Sequence, residues 1–387
     1  MQHRLLALDG GGIRGIITLE VLAEIEAHLR TRYRREGLVL ADYFDYVAGT
    51  STGAIIAACV SLGMSVDEIR RFYVDNGEAM FDRAGLLRRF RYKFEDTKLA
   101  TQLRTVINQY RTPEEQAGGA DLTLGSPALR TLLTLVMRNA TTDSPWPVSS
   151  NPAAKYNQRQ RPDCNLSLPL WQLIRASTAA PVYFPPEVVQ VGEHRFVFVD
   201  GGVTTYNNPA FLLFLMATLE PYRLGWPTGP DRMLLVSVGT GSSARANADL
   251  RPAEMNLVYN AGSIPSALMY AALNEQDMLC RVFGDCRAGD PLDRELGDLR
   301  GVAGPLPQKL FTYLRYNADL SREGLDALGL PGVIPDNVQQ LDSVAHISDL
   351  RLVGGTLAKR SVDPAHFDGF PPRDTPPLEP VPIPRAI

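Results

Sequence analysis

Val47-Ala48-Gly49-Thr50-Ser51-Thr52-Gly53-Ala54-Ile55 leaves an apolar run, turns on small residues around one serine, and becomes apolar again. Two readings fit. One is an ordinary tight connection between a strand and a helix that happens to contain Ser51. The other is a nucleophile elbow, a strained strand-to-helix turn that holds a serine hydroxyl at the mouth of a cleft. Bare G-x-S-x-G is weak, since about one chain in ten of this length carries it by chance. Its setting is stronger: Phe44–Ala48 reads as a strand and Thr52–Leu62 as a helix. Gly49 and Gly53 keep side chains out of the turn, and the following helix aims its partial positive end at any charge that develops on a bound carbonyl oxygen.

A second strand–glycine turn–helix unit precedes this one. Leu5–Leu8 is a short apolar run ending in Asp9-Gly10-Gly11-Gly12-Ile13-Arg14-Gly15, and helical apolar spacing follows over Ile16–Leu29. Two such units within the first 60 or so residues predict an α/β fold, a mostly parallel central sheet flanked by helices. Further strands are expected at Leu132–Met137, Phe196–Val199 and Met233–Val238. Further helices are expected at Leu168–Ser177, Ala210–Leu219, Ser263–Phe283 and Leu320–Leu328. Thr141–Pro162 reads as a long irregular excursion, and residues 364–387, eight of them proline, as a tail without a regular core element. The expected organisation is a catalytic core over 1–240, a largely helical extension over 241–363 packed on it, and the proline-rich tail.

Composition narrows the function. The chain has 387 residues, 45% of them hydrophobic, enough for a large core. A formal charge of −4 argues against binding a nucleic acid polymer. Cys59, Cys164, Cys280 and Cys286 form no CxxC pair and no metal-ligand spacing with histidine, so neither a metal nor a cofactor is implied and a reducing compartment is expected. The four apolar residues before Asp9 are too few for a signal-peptide core, and no apolar run reaches membrane-spanning length. A cytoplasmic protein is expected.

The Asp9–Gly15 loop lacks the Gly-Lys-Ser/Thr of a phosphate loop, and the next strand leads into Ser51 rather than to the acidic residue of a dinucleotide fold. Its consecutive glycines suit an oxyanion hole instead. Phe198-Val199-Asp200-Gly201-Gly202 sits at another strand end, where ligands gather in open parallel sheets, so Asp200 can meet Ser51 as a general base.

These three blocks, D-G-G-G-I-R-G at 9–15, G-T-S-T-G at 49–53 and D-G-G at 200–202, resemble those of the patatin-like phospholipases. Arg175-Ala-Ser-Thr-Ala-Ala-Pro-Val-Tyr-Phe-Pro-Pro186 and Asn207-Asn208-Pro209 add to the likeness, which covers roughly residues 4–240. The resemblance implies hydrolysis of lipid acyl esters with Ser51 as nucleophile and Asp200 as base. The backbone amides of Gly10, Gly11 and Gly12 become oxyanion donors, supported by Arg14, Gly49, Gly53, Gly201 and Gly202. The chain is also loosely similar to bacterial members that act as antiviral effectors switched on by cyclic nucleotides, which implies such an activator.

Arg83–Lys93 carries five basic residues and no acidic one, interleaved with Leu86, Leu87, Phe90 and Tyr92. Arg88, Arg89, Arg91 and Lys93 are therefore expected to touch anionic headgroups at the inner face of the membrane, each worth about 1 kcal/mol. A homo-oligomer is compatible with the chain. Two alternatives stand beside the lipid hydrolase. One is a soluble carboxylesterase with a Ser51–Asp200–His346 triad, since His346 and His366 follow Asp200 in the order such triads require. The other is a non-catalytic ligand-sensing module on the same fold.

Overall fold

The computed structural model describes residues 1–81, 96–181, 184–243 and 257–372. Among the described residues nine strands form one sheet: β1 (His3–Leu8), β2 (Tyr46–Thr50), β3 (Leu132–Asn139), β4 (Ser144–Ser149), β5 (Glu187–Val191), β6 (His194–Asp200), β7 (Met233–Val238), β8 (Asp285–Ala288) and β9 (Thr312–Tyr316). Their order is β5-β6-β3-β2-β1-β7-β9-β8, with β4 paired to β3 outside that path. From β3 to β8 every pairing is parallel, whereas β4, β6 and β5 close one side antiparallel. The described helices of eight residues or more are α1 (Gly15–Tyr33), α2 (Thr52–Ser61), α3 (Val66–Phe81), α4 (Asp96–Asn108), α5 (Leu170–Ser177), α6 (Ala210–Thr218), α7 (Leu257–Phe283) and α8 (Ile347–Ser361).

Strands β1, β2 and β7 are mainly apolar and buried along their whole length because both sheet faces are covered. Along β1, Leu6 and Leu8 enter one core with residues of α1, α2, α5 and α8, while Leu5 and Ala7 enter a second core with residues of α6. Chain order runs outward from β1 through β2 to β3, then returns to β7 on the other side of β1. The order reverses between β1 and β7, and ligands of open α/β sheets bind at the carboxyl end of the sheet near such a point. That end holds the turns that follow Leu8 and Thr50.

The expected strand over Phe44–Ala48 lies two residues later, at Tyr46–Thr50, because Leu40–Tyr43 forms a short helix that Phe44 caps. Thr141–Pro162 is not wholly irregular. Ser144–Ser149 pairs with β3 despite Pro145 and Pro147, which an edge strand tolerates because no ladder bond is needed on its outer side. Beyond residue 240 the chain adds β8 and β9 to the sheet as well as helices. The described part of the proline-rich tail has only the 3₁₀ turn Pro364–Phe367, yet Phe367 and Phe370 are each 1% exposed within the larger core. Two aromatic side chains anchor what composition alone presents as a free end. The Tyr43 hydroxyl donates to the Phe370 carbonyl at 2.9 Å.

Candidate active site

Ser51 is the N-cap of α2 and has φ 54° and ψ −122°, a conformation that L-residues rarely adopt and that costs of order 1–3 kcal/mol. The turn is tight because Gly49 and Gly53 pack directly on each other: a Cβ on Gly49 would strike the Gly53 carbonyl, and one on Gly53 would strike the Leu8 carbonyl. Both glycines are therefore required by close backbone approach. The strain fixes the serine side chain where β2 ends. Its backbone N–H donates to Ser177 Oγ at 3.0 Å, and that hydroxyl donates in turn to the Val136 carbonyl at 2.5 Å.

Ser51 Oγ donates to Asp200 Oδ2 at 2.6 Å. Asp200 comes from the end of β6, 149 residues along the chain, and its other carboxylate oxygen accepts the Gly202 N–H at 2.6 Å. Burial pushes its pKa up to about 6, against the lowering effect of the hydrogen bonds from Ser51 and Gly202. A carboxylate destabilised in this way is a stronger base toward a serine hydroxyl than one in water. Gly201 has no room for a side chain, because a Cβ would strike the Val136 carbonyl.

The glycine loop lies against the same turn, with Gly10 facing the Ser51 Cβ. Gly10 departs from its expected role: its N–H is donated to the Asn207 carbonyl at 3.1 Å rather than into the cleft. Gly12 has φ 59°, and a Cβ there would meet the Leu341 carbonyl. Arg14 donates to the Gln339 carbonyl at 3.2 Å.

Three residues that complete this arrangement carry no motif-level signal. Tyr73 of α3 donates to the Gly12 carbonyl at 2.5 Å and is hydrogen-bonded to Thr52 Oγ1, tying the two turns together. Ser177 lies within the quoted 175–186 block but has no chemistry that sets it apart in sequence. Arg315 of β9 grips Asp9 with two bonds of 3.0 and 2.6 Å, and both side chains are almost wholly buried. Burial raises the Asp9 pKa, and Arg315 works against that rise.

Among the described residues no histidine is bonded to Ser51 or Asp200. His346 Nδ1 lies 3.5 Å from Asp349 Oδ2, and His366 Nδ1 is 2.8 Å from the Tyr316 hydroxyl. All four cysteines are free thiols in buried positions, and burial pushes Cys59 up to about 12. Among the described residues no group of three or more His, Cys, Asp or Glu is placed to hold a metal ion, and no helix is long and apolar enough to cross a membrane. Arg88, Arg89, Arg91 and Lys93 lie outside the described residues.

A strained serine at a strand-to-helix turn, bonded to a buried aspartate beside a glycine loop, defines a serine–aspartate site on an α/β sheet. The family model for "Patatin-like phospholipase" matches residues 6–214, more than half of the chain, and the chain belongs to that family. It is 29% identical over 260 residues to Patatin-17 of Solanum cardiophyllum, covering 62% of this chain and 60% of that protein. It is 30% identical over 241 residues to a cGAMP-activated phospholipase of Escherichia coli, covering 61% and 62%. It is 33% identical over 246 residues to an intracellular phospholipase A2 of Caenorhabditis elegans, covering 61% of this chain and 19% of that protein. The chain thus aligns with about three-fifths of the length of the first two relatives.

Proposed function

We propose that the protein is a lipid acyl hydrolase, of phospholipase A or lysophospholipase type, that cleaves fatty-acyl esters of membrane phospholipids through a Ser51–Asp200 dyad. The observation that carries this reading is the 2.6 Å bond from Ser51 Oγ to Asp200 Oδ2, made by a serine held at positive φ. As Ser51 Oγ bonds to the ester carbonyl carbon, its proton passes to Asp200. The carbonyl π pair moves onto oxygen, and the N–H groups of Gly11 and Gly12, with the N-terminal end of α2, stabilise that charge. Collapse expels the alcohol, which takes the proton from Asp200 and leaves acyl-Ser51. Water then repeats the sequence and releases the fatty acid.

Arg14 keeps the loop against the 339–341 segment, and Gly49, Gly53, Gly201 and Gly202 keep the dyad's walls free of side chains. The protein would act in the cytoplasm, at the inner membrane face, with Arg88, Arg89, Arg91 and Lys93 toward anionic headgroups. A second reading concerns regulation. The cGAMP-activated phospholipase among the relatives favours a cyclic nucleotide as activator, and with it a role as an antiviral effector that is silent until signalled. Esterase chemistry through His346 is disfavoured because Ser51 Oγ donates directly to Asp200, with no imidazole between them.

The test is fatty-acid release from phospholipid vesicles with chelator present, with and without a panel of cyclic dinucleotides. Wild type is expected to release fatty acid, and Ser51→Ala and Asp200→Ala to lose about 10⁴-fold or more. Activity that survives in Ser51→Ala would overturn the dyad. A wild type silent until one nucleotide is added carries the activated reading, and full activity without nucleotide removes it.

A further inference from the structure

Two large cavities flank the site, and they differ in chemistry. One, of about 930 Å³, lies between α7 and the loops after β7 and β9, and is lined by Asp277, Arg281, Asp290, Arg315 and Asp319. The other, of about 840 Å³, runs between α7, the loop 203–205 after the D-G-G turn, and the β3–β4 hairpin. Its walls are mainly apolar, with Val203 on one side and Leu268, Met269 and Ala272 on the other. Both volumes fall within the usual range of ligand sites, about 300–1,000 Å³.

We propose that the apolar groove holds the acyl chain of the substrate, and that α7, a helix beyond the family-matched region, sets the chain length accepted. The inference rests on the acyl-hydrolase reading and concerns where the chain lies. Continuity with the dyad is the first support. The Met269 methyl lies 3.7 Å from where a Cβ of Gly202 would stand, and the Gly202 N–H is the one bonded to Asp200. The groove's wall at Val203–Thr205 thus follows directly on the 200–202 turn that carries Asp200.

Exposure is the second support. Leu268 is 65% exposed, Ile264, one turn earlier on the same helix face, 51%, and Val203 across the groove 40%. Leu268 and Val203 face the groove from its two walls, and exposed Ile264 extends the apolar face of α7, a surface that gains by covering hydrocarbon. The polar cavity suits the same occupant less well, because nine charged side chains line it against three in the groove, Arg138, Asp143 and Glu275, and an acyl chain would strip water from them.

The test compares kcat/KM on p-nitrophenyl palmitate and p-nitrophenyl butyrate, each variant checked for folding by circular dichroism and thermal melting. Ala272→Trp fills the groove and is expected to lower the palmitate-to-butyrate ratio about tenfold. Leu268→Asp, at an exposed position, is expected to lower it in the same direction. Glu323→Trp, which narrows the polar cavity, is expected to leave the ratio at the wild-type value. An unchanged ratio in both groove variants, or a fall in Glu323→Trp alone, overturns the proposal.

Binding of dansyl-labelled undecanoic acid, displaced by palmitate, separates this from the failure of the hydrolase reading. Ser51→Ala should bind the probe like wild type, and Ala272→Trp about tenfold more weakly. A wild type that binds in this pattern but hydrolyses nothing keeps the groove and loses the chemistry. A wild type that binds no probe loses the groove whatever its activity.

Discussion

Strands β1 and β2 both end in a turn that feeds a helix, and both turns place one residue at positive φ: Gly12 at 59° and Ser51 at 54°. The first turn uses the residue that adopts this region without cost, and its shape is imposed from outside. The Ile13 N–H donates to the Leu341 carbonyl at 3.0 Å, the Gly10 carbonyl accepts from Thr240 Oγ1 at 2.9 Å, and Arg315 holds Asp9. The second turn places a strained L-residue and supports it mostly from close by, through the contact of Gly49 on Gly53, with Ser177 and Asp200 reaching in from the neighbouring strands and helix. A turn that must carry a reactive side chain cannot use glycine there, so its neighbours become glycines instead. A turn that must only present N–H groups can be glycine throughout, and distant segments then give it its form.

The largest effect that tests this contrast is loss of the proposed Ser51–Asp200 dyad. Asp200→Asn is expected to reduce acyl-ester hydrolysis by about 10³-fold or more, because an amide cannot take the serine proton. In wild type, kcat/KM should fall as pH drops through about 6, the value to which burial pushes Asp200. The stability effect has the opposite sense. Because the folded-state pKa lies above the unfolded one, the folded protein binds the extra proton between about pH 4 and 6, and stability is lost as pH rises through that window. The ionised carboxylate then costs on the order of 2–3 kcal/mol at neutral pH. Urea unfolding at several pH values should show Asp200→Asn gaining on wild type from pH 4 to pH 7. Parallel curves would mean that the site does not strain its carboxylate.

This contrast also accounts for what could be read without a structure. Ser51 was legible because its turn is made by nine consecutive residues, and Asp200 because it ends an apolar strand in D-G-G. Arg315 and Leu341 were not, since neither a basic residue in T-Y-L-R-Y nor a backbone carbonyl 329 residues after Gly12 carries a local mark. Strand β9 carries a weak local signal because buried Arg315 interrupts its apolar run, and β8 because its D-C-R-A alternates polar and apolar without an aromatic or β-branched residue. The family resemblance makes Gly10 an oxyanion donor, but whether its N–H is free depends on Asn207, nearly 200 residues away. Burial of Phe367 and Phe370 ran against the proline content around them, since proline limits regular structure but does not stop two aromatic rings from filling a core.

Breaking the outer support of the first turn should come next in size. Arg315→Met leaves Asp9 buried without its partner, and removal of one member of a buried pair costs about 3–5 kcal/mol. Arg315→Lys should recover part of that loss, because one ammonium cannot reproduce the two-bond grip. If Arg315 positions the loop, kcat should fall about tenfold in Arg315→Lys with KM little changed. A purely structural pair would lower stability and leave kcat per folded molecule at the wild-type value.

The smallest effects set the two positive-φ residues against each other directly. Ser51→Ala and Ser51→Gly both remove the hydroxyl, but only alanine keeps the strained backbone. Relief of strain of order 1–3 kcal/mol outweighs the extra freedom that glycine has in the unfolded chain, about 0.5–1 kcal/mol. Ser51→Gly should therefore be the more stable of two inactive variants, by about 1 kcal/mol in urea titration. At the other turn the order reverses. Gly12→Ala both forces an L-residue to φ 59° and drives a Cβ into the Leu341 carbonyl, so it should lose about 2 kcal/mol, together with the Ile13–Leu341 hydrogen bond. Equal stability of the two Ser51 variants would show that the elbow stores no strain, and the contrast between the turns would then rest on the outer contacts of the glycine loop alone.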